Sequence, residues 1–319
     1  ISILSGGIRS VDAAGKTGSE LLEDLYQEDS PAVITGLEIG NCTELWTNPD
    51  LFARAGGGSS VSVQVSSEPT MDYNHRNFEY KTIPFSELVR NASSLNSEKY
   101  YYFRSTCPNR TVIPDFWSQW PSLGRHVIPP NFIPRERWFS SVLRVSSAKC
   151  VLFTHMDVMD NVLMQIRGKK HVILYPPKDS QYLYLKNGKS DIRDPRNYNR
   201  SLYPLVSRAA RYECMLSEGD VLYIPALWFH NVRAGESSMS AAVNIFWKRL
   251  DNRHYDPKDT FGNRDLIPAR RGQEGVDKAI RTLSLLPPYY RDYYGRQLIE
   301  RLSRKLLLQS LGDDDIASS

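Results

Sequence analysis

The 319-residue chain is poor in cysteine, with four residues at positions 42, 107, 150 and 214. None forms a C-x-x-C pair, and the spacing is too sparse for a disulfide framework, which implies free thiols in a reducing compartment; the expected location is intracellular and cytoplasmic. Long apolar runs are missing as well: none approaches the roughly 18 residues of a membrane span, so no membrane partner is expected. The first thirty residues mix Arg9, Asp12, Lys16 and Glu20 with short apolar pieces and hold no signal-peptide core. Because the chain starts at Ile1 and not at methionine, a targeting segment ahead of it stays open. Internal repeats and low-complexity tracts are absent. So is a strong charge of either sign: a net +4 permits a nucleic-acid partner without requiring one, since a local basic patch counts for more than the total.

What the chain does have is 41% hydrophobic composition, enough for a sizeable core. Short apolar or alternating runs bounded by turn residues recur at 139–145, 149–154, 162–166, 170–175, 212–216, 220–224, 228–232 and 239–247. Eight short strands at this spacing predict a mainly β fold, a barrel or double-sheet jelly roll. Ahead of them lie N-terminal α/β elements: a short amphipathic helix at 19–27, a strand at 31–37, a glycine-rich turn before the alternating strand 61–65, and strands near 78–81 and 99–104 flanking a helix at 85–91. After Trp247 the pattern changes to helical spacing at Val276, Ile280 and Leu283, then at Leu298, Leu302 and Leu306, with Pro287-Pro288 between. The expected division is 1–135 packed on the barrel, 136–250 as the catalytic core and 251–319 as a C-terminal helical region.

One pattern carries chemistry. His155-Met156-Asp157 opens, and His230 closes, a stretch whose two ends fall on different predicted strands. In extended backbone residues i and i+2 share a face, so one metal can take His155 and Asp157 together while His230 arrives from another strand. Two imidazoles and one carboxylate form the facial arrangement that leaves positions open on non-haem Fe(II). His-x-Asp arises often by chance, and His254-Tyr255-Asp256 repeats the spacing. That second copy sits in a polar, loop-like run with no histidine after it and is expected at the surface.

The same residues resemble a family, the JmjC-type 2-oxoglutarate oxygenases, over roughly residues 30 to 250. The likeness extends through Asn161, the run Gly168-Lys169-Lys170-His171-Val172-Ile173-Leu174-Tyr175-Pro176, the run Gly219-Asp220-Val221-Leu222-Tyr223-Ile224-Pro225 leading into Trp228 and His230, and Val243-Asn244-Ile245-Phe246-Trp247. The resemblance implies a double-stranded β-helix, the cupin-like jelly roll, with Fe(II) on His155, Asp157 and His230. It also implies that 2-oxoglutarate is held by Asn161, Lys170 and Tyr102, with Asn244 at its other end. Longer runs at 155–161, 181–186, 211–214 and 224–232 resemble the branch that hydroxylates a hypermodified guanine next to the anticodon of phenylalanine tRNA. The metal site itself cannot name the substrate, so a JmjC protein hydroxylase or histone demethylase, and a cupin-like binder with a vestigial site, stand beside that reading.

Three residue-level alternatives remain open in the sequence. Strand alternation puts Lys170 on the face of Val172 and Leu174, where an ammonium is costly unless an anion meets it, yet a lysine on an edge strand can also snorkel outward. Of Tyr100, Tyr101 and Tyr102, one faces inward; a one-residue slip moves the role that resemblance gives Tyr102 to Tyr101. The segment 178–210 interleaves tyrosines with lysines and arginines, which suits RNA contact or, equally, a solvated loop whose tyrosines pack on the barrel. The apolar helix stripes must bury themselves on the barrel or on a second copy, and related oxygenases pair through such helices, which implies a homodimer.

Overall fold

The computed structural model describes residues 5–107, 109, 111–186 and 188–307. The run Gly312-Asp313-Asp314-Asp315, expected to end the ordered part, lies outside them. Packing divides the chain into two compact units, one of Ile1–Asn252 with Pro257–Arg264, the other of Arg253–Asp256 with Asp265–Ser319.

The first unit contains the eight expected strands: β1 (Trp138–Ser146), β2 (Val151–His155), β3 (Asp160–Arg167), β4 (Lys170–Tyr175), β5 (Arg211–Leu216), β6 (Val221–Ile224), β7 (Phe229–Ala234) and β8 (Ser240–Trp247). They are divided between two sheets of four. One runs β6-β3-β8-β1 and is extended by Arg9–Asp12 and Ala32–Thr35 on one side and by Tyr100–Arg104, Ser60–Ser66 and Glu79–Pro84 on the other. The second runs β5-β4-β7-β2, with Ser5–Gly7 at one edge and the short strands Lys189–Ser190 and Leu185–Lys186 at the other. Strands consecutive in sequence fall on opposite sheets except β4 and β5, which pair with each other within one sheet; two four-stranded sheets linked in this way make the jelly-roll form of the double-stranded β-helix.

The alternation along β3 and β8 decides what faces the barrel interior. On β3, Val162, Met164 and Ile166 point outward into a large apolar cluster, while Asn161, Leu163 and Gln165 point inward. On β8, Val243, Ile245 and Trp247 point outward and Ala242 and Asn244 inward. The outward faces are covered by N-terminal residues, among them Leu21, Leu25, Trp46, Phe52 and Phe85, all essentially inaccessible. Each such side chain contributes about 1.5–3 kcal/mol of burial, so this layer anchors the sheet whose other face is given to polar residues. Leu21 and Leu25 reach it because helix Gly18–Glu28 presents them four residues apart, behind a capping box in which Thr17 and Glu20 satisfy each other's main-chain N–H groups.

The turn between β3 and β4 requires Gly168. Its φ is +70°, and a Cβ there would lie 2.5 Å from the Met239 carbonyl oxygen. That turn fixes where Lys170 enters the next strand.

The second unit consists mainly of helices Ile267–Leu283 and Pro288–Leu306, with Pro287-Pro288 at the break as expected. Neither helix has a buried residue. The expectation of a surface position for His254-Tyr255-Asp256 is corrected at two of its residues. Tyr255 is buried, and the Asp256 carboxylate is held by Arg270 at 2.8 Å, so the helical unit uses it as a structural partner. Among the described residues no helix is long and apolar enough to cross a membrane.

Candidate metal centre and its cavity

His155 ends β2 and pairs directly with His230 on β7, so the antiparallel ladder brings the two imidazoles to a ring separation of 4.3 Å. Asp157 lies two residues past His155, beyond the strand end. One ligand atom from each of the three lies within 4.8 Å of the others, and this is the one such cluster of histidine, cysteine or acidic residues among the described residues. Both imidazoles are oriented in the same way: Nδ1 of His155 donates to the Phe153 carbonyl at 2.8 Å, and Nδ1 of His230 to the Trp228 carbonyl at 3.1 Å. A carbonyl can only accept, so Nδ1 carries the proton and Nε2 keeps a free lone pair.

Burial, followed by the neighbouring His230, pushes His155 down to about 3, and burial also lowers His230. The two rings are therefore neutral at physiological pH, as a metal ligand must be. The Asp157 Oδ2 atom is buried without a hydrogen-bond partner, 3.6 Å from His230 Nε2. A buried carboxylate oxygen left unpaired costs about 1–3 kcal/mol or more, and a divalent cation would remove that cost. The donor set of two nitrogens and one oxygen fits iron.

The loop carrying Asp157 and the turn leading into β7 are tied together. Leu227, a non-glycine residue with φ +70°, donates its N–H to the Asp157 carbonyl at 2.8 Å. Asp160, fully buried, accepts from the Ala226 N–H at 2.9 Å and from the Tyr223 hydroxyl at 3.3 Å, with Arg249 Nε at 3.4 Å. Burial raises the pKa of Asp160 and the Arg249 charge opposes that rise. The Leu227 N–H and the buried carboxylate of Asp160 thus hold together the two chain segments that carry the candidate ligands.

Behind the candidate ligands lies a cavity lined by Tyr102, Arg144, Asn161, Lys170, His230 and Asn244 among its polar residues. Lys170 is buried and points inward; Nζ donates to Gln165 Oε1 at 2.9 Å and to Ser240 Oγ at 2.6 Å, both neutral. Burial first, and Arg144 second, push its pKa down to about 7. Tyr102 lines the cavity, whereas Tyr101 packs against the outer apolar cluster. Asn244 donates to Asn161 at 3.0 Å, and its own Oδ1 is buried without a partner. Sequence reasoning missed Arg144, which hydrogen-bonds the Tyr102 hydroxyl, and the pair Gln165 and Ser240 that solvates Lys170.

The segment 178–210 carries fewer free cations than its composition suggests. Arg196 is a brace: Nε donates to His171 Nδ1 at 3.0 Å, Nη2 to the His171 carbonyl at 2.8 Å, and Nη1 to both Asp194 and Asn231. Asn231 passes the link on by donating to the Leu152 carbonyl at 2.9 Å, between the strands of His155 and His230. Arg193 pairs with Asp72 at 2.7 Å and Lys186 with Asp191 at 2.8 Å. Lys189, the strand neighbour of His155, holds its ammonium 5.9 Å from the Phe153 ring centre.

Compared with known proteins, residues 18–253 match the model of a family described as a cupin-like domain. The chain is 42% identical over 299 residues to tRNA wybutosine-synthesizing protein 5 of Mus musculus, covering 91% of this chain and 94% of that protein. The Gallus gallus protein of the same name is 43% identical, with 91% and 93% covered. The tRNA wybutosine-synthesizing protein 4 of Gibberella zeae is 32% identical over 285 residues, 88% of this chain but 27% of that longer protein.

Proposed function

The chain belongs to the cupin-like domain family and to the family of tRNA wybutosine-synthesizing protein 5, and on that premise we propose that it is an Fe(II)- and 2-oxoglutarate-dependent hydroxylase of wybutosine biosynthesis. Its substrate is the wybutosine precursor side chain in phenylalanine tRNA. The observation that carries the reading is the unpaired Asp157 Oδ2 beside two imidazoles whose Nε2 lone pairs are free, at the mouth of a cavity that ends in an ammonium with neutral partners only.

The reaction balances as follows: 2-oxoglutarate, dioxygen and a substrate C–H give succinate, carbon dioxide and C–OH. One oxygen atom enters succinate and the other the product; decarboxylation and the C–H bond each provide two electrons. Iron held by His155, Asp157 and His230 supplies the activation of dioxygen. The residues of the chain do the rest. Lys170 meets the distal carboxylate of 2-oxoglutarate with a full charge, and Tyr102 and Asn161 fix the molecule along the cavity. The apolar walls at Leu152, Leu163, Ile224 and Val232 exclude water from the oxidising centre.

An anticodon loop suits this entrance because its bases are already unpaired and can be presented without melting a helix. The exposed apolar side chains of the C-terminal helices, Val276, Ile280 and Leu306 among them, support a homodimer built through that unit.

The test is mass spectrometry of nucleosides from phenylalanine tRNA bearing the unhydroxylated precursor, incubated with the protein, Fe(II) and 2-oxoglutarate. A gain of one oxygen on that nucleoside, matched by succinate, is expected. Its absence together with oxidation of a peptide would transfer the assignment to a protein hydroxylase.

A further inference from the structure

Arg104 and Arg144 are cross-strand partners, one on strand Tyr100–Arg104 and one on β1, and so stand side by side on the inward face of the barrel. Like charges directly opposite each other in a sheet are destabilising. Among the described residues neither makes an ion pair, and each keeps a buried N–H without an acceptor, Nη1 of Arg104 and Nε of Arg144. The carboxylate that both feel is Asp157, which the metal centre uses. A buried donor left unmade calls for an explanation, and two on adjacent guanidiniums call for a shared one.

The surroundings hold the pair in place without neutralising it. Arg144 bonds the Tyr102 hydroxyl. Arg104 donates Nη2 to the Phe261 carbonyl at 3.2 Å and lies 5.4 Å from the centre of the Phe261 ring. Phe261 sits in a loop shaped by Asp259, whose carboxylate accepts the N–H groups of Phe261, Gly262 and Arg264. Its ring is 41% exposed, and Leu227, next to Asp157, is 43% exposed. The pair therefore lies between the metal ligands and a rim that presents apolar surface to solvent.

We propose that Arg104 and Arg144 form a two-guanidinium clamp that grips an anionic group of the RNA substrate beside the carbon to be oxidised. This rests on the hydroxylase reading above, in which the two carboxylates of 2-oxoglutarate are met by Lys170 and by the metal centre, leaving the arginine charges for the substrate. Adjacent planar forks donate to a pair of anionic oxygens, which a carboxylate on the modified base or a backbone phosphate both offer. Lysine at either position would keep the charge and lose the fork.

The experiment measures equilibrium binding of the anticodon stem–loop of phenylalanine tRNA bearing the precursor base, to full-length wild-type protein and to an Arg104→Gln/Arg144→Gln variant. Three RNAs are used: native, treated to convert carboxylates to methyl esters, and with an unmodified guanine. The variant is expected to bind native RNA at least about tenfold more weakly. If the anion is a carboxylate, esterification costs the wild type a similar factor and costs the variant nothing. If it is a phosphate, esterification is silent, and the variant loses about one unit of salt dependence on all three RNAs. A folded variant that binds native RNA within about twofold of wild type, or one whose defect falls only on 2-oxoglutarate affinity, overturns the clamp. Should the double variant not fold, the two single variants give the same readout, and normal binding by both overturns it equally. Succinate formation by the wild type on the same RNA tests the hydroxylase reading separately.

Discussion

The barrel and the C-terminal helices use apolar residues in opposite ways. Along β8 all of Ser240–Trp247 is buried, with apolar side chains outward under the N-terminal layer and a polar set inward around the cavity. The helices of 17 and 19 residues that follow the barrel bury nothing. In proteins most helical stability comes from tertiary packing of an apolar face and not from propensity. The barrel thus completes its own core and reserves the interior for chemistry. The helical unit carries a burial requirement that a second copy of the chain can meet.

The sharpest way to separate the two is to damage the interior without touching the core. Asp157→Ala removes the proposed carboxylate ligand, whose Oδ2 has no hydrogen bond to lose. Succinate and oxidised nucleoside should fall at least about a thousandfold, roughly 4 kcal/mol in transition-state stabilisation, while the melting temperature stays within a few degrees. Full turnover by the folded variant would sink the metal assignment. Arg196→Ala should do the reverse. It strands His171, Asp194 and Asn231, and should cost about 3 kcal/mol in denaturant unfolding. A loss below about 0.5 kcal/mol would mean that segment 178–210 is held by something else.

Lys170 gives a pH signature. Its amine, depressed to about 7 when no anion is present, must be protonated to meet a carboxylate, so binding raises its pKa. Affinity for 2-oxoglutarate, measured calorimetrically, should therefore be greatest below pH 7 and weaken as pH rises through 7 to 9, by up to about tenfold per unit. Lys170→Arg should flatten that slope, and Lys170→Ala should weaken binding about 10- to 100-fold. An unchanged slope in Lys170→Arg would remove the lysine from the co-substrate site. The smallest effect is expected in the helices: Ile280→Asp should weaken dimerisation by about tenfold or more, seen by light scattering as a shift toward one chain mass, and leave the melting of the barrel unmoved. A wild-type protein that is monomeric at micromolar concentration would break the comparison itself.

Most of the frame is legible in the residues because strand alternation is local. Val162, Met164 and Ile166 read as one face and Asn161, Leu163 and Gln165 as the other before any coordinates exist. The metal cluster is legible because His155 and Asp157 are close in sequence and His230 follows a strand signal. Arg144 was open to the same logic: it alternates with Val142 and Ser146, on the face opposite Leu143 and Val145. Its charge masks it, because arginine side chains are mostly exposed in folded proteins. Arg196 has one local partner, Asp194, but the partners that make it a brace, His171 and Asn231, lie 25 and 35 residues away and leave no local signal. Nor does composition reveal that Asp160, three residues past a ligand, is fully buried.

One feature of the centre bears on how such a site tolerates change. Each imidazole is steered by the carbonyl two residues earlier in its own strand, Phe153 for His155 and Trp228 for His230. No neighbouring side chain sets either tautomer, so no single substitution outside the two histidines deletes that control. Side chains around the two histidines can change without removing the hydrogen bonds that point both Nε2 atoms at one place. The backbone therefore fixes the two Nε2 donors while the side chains around them stay open to substitution.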